Sequence, residues 1–266
     1  MKVGAWVVVE RRTEAFDGSD KVPNPLQEKT SITVPVFTFD VKLTDNFGLQ
    51  AGATVPDVTR TAQTVNFREN FAGLGDTSVL AWYRLPKTHG WNTMVNFGVS
   101  LPTGKTETPR FRPELKDGNL VPMSRLQRGS GTVDPIVGVN VDRRIYKSNF
   151  VTFGSVAARL PRYENKTGLR TGSSSEVNAG VAREVLTHRL VGIARLGWLH
   201  RNQDTFEGTP VLVGGGNWIY VTPGATVRIL QGINLQADVK IPVYRRLANT
   251  QLDSRAVLQL GISREF

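Results

Sequence analysis

The chain ends Arg255-Ala-Val-Leu-Gln-Leu-Gly-Ile-Ser-Arg-Glu-Phe266. Counted back in twos, Phe266, Ile262, Leu260, Leu258 and Ala256 are apolar, with Arg264 the one charge among them. Glu265, Ser263, Gly261, Gln259 and Arg255 lie between them and are polar or small, Val257 excepted. Side chains of an extended strand point alternately to opposite faces, so this period of two predicts a strand with one oily and one wet face. The stretch stops on an aromatic ring. At the end of a soluble strand such a ring would fray into water. At the end of a strand that closes a membrane barrel it lies at the lipid–water boundary, where aromatic residues form a girdle. The fold turns on whether the rest of the chain repeats this strand.

It does. Residues 233–244 set Ile233, Leu235, Ala237, Val239, Ile241 and Val243 against Asn234, Gln236, Asp238 and Lys240. Leu235, Ala237, Val239 and Ile241 are expected to face lipid, and Gln236, Asp238 and Lys240 the lumen; a slip of one residue would reverse them all. Further strands are predicted at 3–12, 29–43, 47–56, 76–85, 93–102, 132–143, 150–160, 176–185, 190–200 and 217–229. With the last strand they number about twelve. Long loops (14–28, 57–73, 103–130, 161–174, 201–215, 245–254) alternate without exception with short turns. Those turns fall at Thr44-Asp45-Asn46, His89-Gly90, Tyr146–Asn149, Thr187-His188 and Leu230-Gln231-Gly232. Strands of about ten residues cross a hydrocarbon layer when tilted. The pattern predicts one all-β domain over residues 1–266: a transmembrane antiparallel up-and-down β-barrel in a bacterial outer membrane, with short periplasmic turns and long extracellular loops. A soluble sandwich or lipocalin would show shorter strands and no such asymmetry of loops. Periodicity alone does not say which face points outward; the loop alternation and the terminal Phe266 favour apolar residues on the lipid side.

Composition narrows the function classes. The sequence has no cysteine, which excludes disulfides and thiolate metal sites. Mean hydropathy is −0.22, and no apolar run reaches the length of about 18 residues that a spanning helix needs. A barrel is untouched by that, because its lumen face dilutes the hydropathy. The net charge of +10 comes from scattered Lys and Arg without a dense block, so no nucleic-acid partner is expected. Met1-Lys2 leads into only a short apolar stretch before Glu10-Arg11-Arg12, unlike a signal peptide; for a secreted barrel the chain is then a mature or renumbered form.

Several segments are diagnostic in combination. Gly73-Leu74-Gly75-Asp76 opens one strand, Leu101-Pro102-Thr103-Gly104-Lys105 closes the next, and Gln127-Arg128-Gly129-Ser130-Gly131-Thr132-Val133-Asp134 opens the one after. Gly214-Gly215-Gly216, Thr222-Pro223-Gly224, Ile241-Pro242-Val243-Tyr244 and Thr250-Gln251-Leu252 follow in order. Over residues 70–266 this order resembles the outer-membrane barrels called the MetA-pathway of phenol degradation, or transporter-like, family. The resemblance implies a passive route for small, often aromatic or hydrophobic molecules.

The motifs also have plain structural readings. Leu-Pro-Thr-Gly-Lys lacks the leading glycine and spacing of a phosphate loop, so Pro102 and Gly104 are read as ending a strand. Asp76 and Asp134 fall where strands leave long loops, and pinning those loops is favoured over contacting a ligand. His89, His188 and His200 lie in separate segments, and no catalytic group, metal site or cofactor is expected. The predicted wet faces carry Asp40, Lys42, Asp76, Arg84, Asp134, Asp142, Arg159, Glu176, Glu184, Arg195, Arg228, Asp238, Lys240 and Arg255. Mixed signs suggest ion pairs that brace the wall and leave a selective path between them, or else a packed, plugged interior. The expected function is a channel or facilitator for small solutes. The alternatives are a structural or scaffold barrel that binds a partner, and a soluble β-protein. Expected partners are the bilayer, a small-molecule solute, and assembly machinery reading the last strand and its Phe266.

Overall fold

The computed structural model describes residues 1–106, 110–111, 120–121, 127–146, 148–186, 189–211, 214–230 and 232–266. Among them, twelve long strands close a barrel. They are β1 (Lys2–Asp17), β2 (Glu28–Lys42), β3 (Phe47–Thr54), β4 (Thr77–Arg84), β5 (Trp91–Leu101), β6 (Asp134–Arg144), β7 (Phe150–Arg159), β8 (Ser174–Leu186), β9 (Leu190–Arg201), β10 (Gly216–Leu230), β11 (Ile233–Leu247) and β12 (Gln251–Glu265). Each pairs antiparallel with its neighbours in sequence, and β1 pairs with β12 from Lys2↔Glu265 to Phe16↔Gln251. Closure leaves no unpaired edge in the wall, which is what lets strands sit in hydrocarbon.

The molecule is turned inside out relative to a water-soluble protein. Phe37, Phe97 and Leu196 are more than half exposed, whereas Asp134 is fully buried. On β11, Leu235, Ala237 and Ile241 are exposed and Val239 is half-buried. Asp238 on the opposite face is buried and accepts a hydrogen bond from Gln236 at 2.6 Å. Trp91 and Phe266 mark the periplasmic end of the apolar band; Trp198 and Tyr244, both beside Ile219, mark its outer end. The buried apolar residues form two small clusters. Phe16, Trp218, Tyr220 and Leu247 pack with Leu199, and Val58 and Phe71 pack with Ile32, both toward the extracellular end.

Inside the barrel, three rings lie on glycines directly opposite in the neighbouring strand: Trp6 on Gly261, Trp82 on Gly48 and Phe153 on Gly180. A β-carbon at any of these glycines would overlap the ring.

Several expected loops are extended structure. Residues 245–254 are not a loop: β11 runs to Leu247 and β12 starts at Gln251, so only Ala248–Thr250 turn. The long–short alternation therefore has an exception there. Residues 57–73 form a hairpin of Asp57–Ala62 and Phe67–Ala72, laid on the outer half of β2 from Glu28↔Ala62 to Thr33↔Asp57. β1 continues past residue 12 to Asp17 and pairs with Asp20–Val22. Leu169–Arg170, Thr205–Phe206 and Thr209–Pro210 make a small separate sheet. The cause is common to all. Beyond the bilayer a strand need not keep an apolar face, so its charged and hydroxyl residues look like loop while the backbone still pairs. The Thr187-His188 turn, and most of residues 103–130, lie outside the described residues.

Candidate functional site: the outer mouth of the lumen

Three of the sequence motifs converge on one point. Asp76 lies just before β4, Asp134 opens β6 and Arg159 ends β7. Arg159 donates to Asp134 from Nε at 3.0 Å and from Nη2 at 2.6 Å, and from Nη2 to Asp76 at 3.1 Å. Asp134 also accepts from the Thr132 hydroxyl at 2.6 Å. Asp76 accepts from the Ser130 amide at 2.9 Å, the Ser130 hydroxyl at 2.8 Å and the Gly104 amide at 3.3 Å. One carboxylate thus ties together the start and the end of the long 103–130 segment. Asn165, from the next long loop, donates to the Ser130 carbonyl at 2.9 Å. Each carboxylate is balanced by the guanidinium and by several donors, which is the condition for keeping a charge out of water.

The glycines of these motifs make the crossing possible. A β-carbon on Gly104 would stand 2.7 Å from the Arg128 carbonyl, and one on Gly129 would collide with Asp76. No other residue lets the two backbones approach this closely.

Beneath this knot lies a cavity of about 430 Å³ inside the barrel. Thr38, Gln50, Ser78 and Ser100 line one side, Arg159 and Arg128 the roof, and Thr171 and Arg201 reach it from other loops and strands. Its volume is that of a small-molecule site, with a wall rich in hydroxyl and amide groups.

The other predicted lumen residues are distributed by depth. Lys240 on β11 reaches Glu176 on β8 at 3.1 Å, spanning two intervening strands, and lies 4.2 Å from the Tyr220 ring centre. Asp40 accepts from the Trp82 indole at 3.1 Å and Asp142 from Asn92 at 2.8 Å. Arg195 on β9 takes part in no ion pair among the described residues. Toward the periplasm, Arg144 stands 4.0 Å from Glu184, Arg84 lies over Trp82, and Arg228 is exposed. Lys42 bonds Asp45 in the periplasmic turn at 2.6 Å. That bond holds the Asp45 carboxyl below its ordinary value. Arg255 is on the outer rim, highly exposed, and bonds Glu14 at 2.6 Å. The fourteen residues are therefore several small constellations rather than one ring.

A second outer cluster was not legible in the sequence. Trp218 donates to Asp253 at 2.9 Å, and Arg245 pairs with Asp253 at 3.3 Å. Arg12 pairs with Glu10 at 2.7 Å nearby. Asp253 and Arg245 fall in the stretch read as loop. The available signal was Trp218 itself, a large ring on a wet face whose indole N–H needs an acceptor. Among the histidines, His200 stacks on Trp198 and contacts Asn217 and Asn202, whereas His89 sits in a turn with positive φ.

No family model matches the sequence, and no curated protein does. Solved structures do. The COG4313 outer membrane channel from Pseudomonas putida F1 aligns with a TM-score of 0.73 at 12% identity, over 100% of this chain and 95% of that one. The transport unit of the autotransporter AIDA-I from Escherichia coli aligns at 0.58 with 12% identity, over 100% and 90%. The NanC porin aligns at 0.50 with 7% identity, over 98% and 100%. The chain is a bacterial outer-membrane β-barrel. At these identities the likeness is one of fold. It agrees with the inverted burial, the closed wall and the aromatic ends of the apolar band.

Proposed function

We propose that the barrel is a channel that lets small solutes pass the outer membrane passively. The observation that carries this reading is the cavity of about 430 Å³ inside a closed wall, lined mostly by polar residues and bordered by Gln127–Ser130, which Asp76 ties to Gly104. Gln127–Ser130, held in this way, narrow the mouth, and the Glu176–Lys240 pair on the lumen wall presents both charges to whatever passes. The solved neighbours include an outer membrane channel and a porin, which agrees with a channel role. The resemblance to the phenol-degradation family and the inward, partly exposed rings of Trp6 and Phe153 favour small aromatic or hydrophobic solutes. Such rings offer flat faces on which an aromatic solute can stack. The fourteen charged residues then act as local selectivity and bracing groups, and Phe266 at the end of β12 is the feature that assembly machinery reads.

The test is transport by the purified barrel. Planar bilayers should show discrete conductance steps, and liposomes should swell in small aromatic solutes faster than in sugars of equal mass. A barrel that is sealed in both assays overturns the channel and leaves the scaffold reading.

A further inference from the structure

At the periplasmic rim three arginines point away from the lumen, each laid over an aromatic ring. Arg143 on β6 stands 5.7 Å from the Trp91 ring centre, Arg183 on β8 stands 5.1 Å from that of Phe150, and Arg264 on β12 stands 4.5 Å from that of Phe266. The first two are directly opposed pairs on neighbouring strands. Their facing is set by the alternation: Val139 on β6, Val181 on β8 and Ile262 on β12 lie on the same outward side and are exposed. All three arginines are exposed, and none has a carboxylate partner among the described residues. Arginines of the outer mouth differ, since Arg12, Arg159, Arg245 and Arg255 each have one.

An unpaired cation beside hydrocarbon is unfavourable unless an anion or water meets it. A ring under a guanidinium occupies one of its faces and holds its plane, while the in-plane N–H edge stays free to donate a pair of parallel hydrogen bonds. That edge matches a phosphate diester. Its height, at the last outward positions of β6 and β12 and next to the last on β8, is that of lipid headgroups. Arg143 and Arg183 are two strands apart, about 10 Å at the usual strand spacing. Exposed Val139 and Val181 lie on the membrane side of them, where acyl chains would lie.

We propose that the periplasmic rim of β5–β8 binds anionic glycerophospholipids of the inner leaflet through their phosphates, with Arg143 on Trp91 and Arg183 on Phe150 as the two receiving groups. Arg264 on Phe266 is a third, single position at the seam. The site is on the outer surface of the wall and is separate from the solute path.

The purified barrel is to be placed in nanodiscs of equal phosphatidylcholine and phosphatidylglycerol, and the lipids it retains counted by native mass spectrometry. The expected result is phosphatidylglycerol retained at least threefold over phosphatidylcholine. In R143Q/R183Q the ratio should fall at least twofold, with conductance unchanged, and R143K/R183K should be intermediate because charge remains without the planar stack. Heat-modifiable migration on gels reports whether each variant folds. If R143Q/R183Q does not fold, W91L/F150L replaces it and must also lower the ratio. Equal retention of the two lipids by the unaltered protein overturns the proposal, as does an unchanged ratio in a folded variant.

Discussion

The Asp76–Arg159 arm of the Asp76–Arg159–Asp134 knot and the Glu176–Lys240 pair both join parts of the wall that are not neighbours, yet they are built for different work. In the knot Asp134 is fully buried, and apart from Arg159 the partners of the two carboxylates are backbone amides and short hydroxyl side chains. In the pair Glu176 is 39% exposed, and a single 3.1 Å contact joins two flexible chains. Burial with full pairing makes a fastening; partial exposure makes a contact that water and a passing solute can replace.

Breaking the fastening is the harshest test of this contrast. D134A leaves the Arg159 guanidinium facing Asp76 alone and the Thr132 hydroxyl without its acceptor, and should cost about 3–5 kcal/mol, the usual result of removing one partner from a buried pair. Urea unfolding of the barrel in vesicles, followed by tryptophan fluorescence, measures it.

The wall and the lumen can be compared next. V239R puts a charge in the lipid-facing band and should cost about 2–4 kcal/mol near the midplane, whereas Q236R, beside Asp238 in the wet interior, should cost far less. Because the chain has no cysteine, single cysteines report the facing directly. V239C should react with a lipid-soluble maleimide and not with an impermeant one, and Q236C with a small water-soluble reagent. The reverse pattern would sink the assignment of faces.

Loosening the exposed pair should barely touch stability. E176Q, K240Q and the double variant should show a coupling of under about 1 kcal/mol in a mutant cycle. Conductance and ion preference should change, and a cycle that matches the knot in size would erase the distinction.

The smallest effect is expected outside the membrane. The Lys42 hydrogen bond lowers the Asp45 carboxyl, so any stabilisation it gives is present above the carboxylate's ordinary value near 4 and is lost as pH falls through the depressed one. Asp45 is fully exposed. The titration by NMR should therefore move upward in K42Q without a measurable change in unfolding.

How much of this the sequence carried depended on where hydrocarbon lies. Within the bilayer each residue is told to be apolar or polar by its face, so β11 could be read with its facing from Ile233 to Lys240. Above the bilayer that instruction stops. Arg245, Asp253 and the Asp57–Ala72 hairpin continue the ladder with residues that suit water, and they read as loop. The candidate site was half visible. Asp76, Asp134 and Arg159 were singled out by position, and the pinning of loops by the two aspartates was foreseen. The bonds of Ser130 to Asp76 and the crossing of Gly104 with Gly129 join residues far apart in the chain, which no local pattern encodes.

The ring-on-glycine contacts have a consequence for assembly. A barrel without an apolar core has little inside it to report whether its strands are in step. Trp6 fits only where Gly261 opens space on β12, so the two strands that close the barrel can test each other. A slip of two residues would set the indole against Gln259 or Ser263, with no room for it to lie flat. Trp82 against Gly48 and Phe153 against Gly180 repeat the check at two other joints. The barrel thereby carries its own proofreading of register, completed only when the circle of strands is closed.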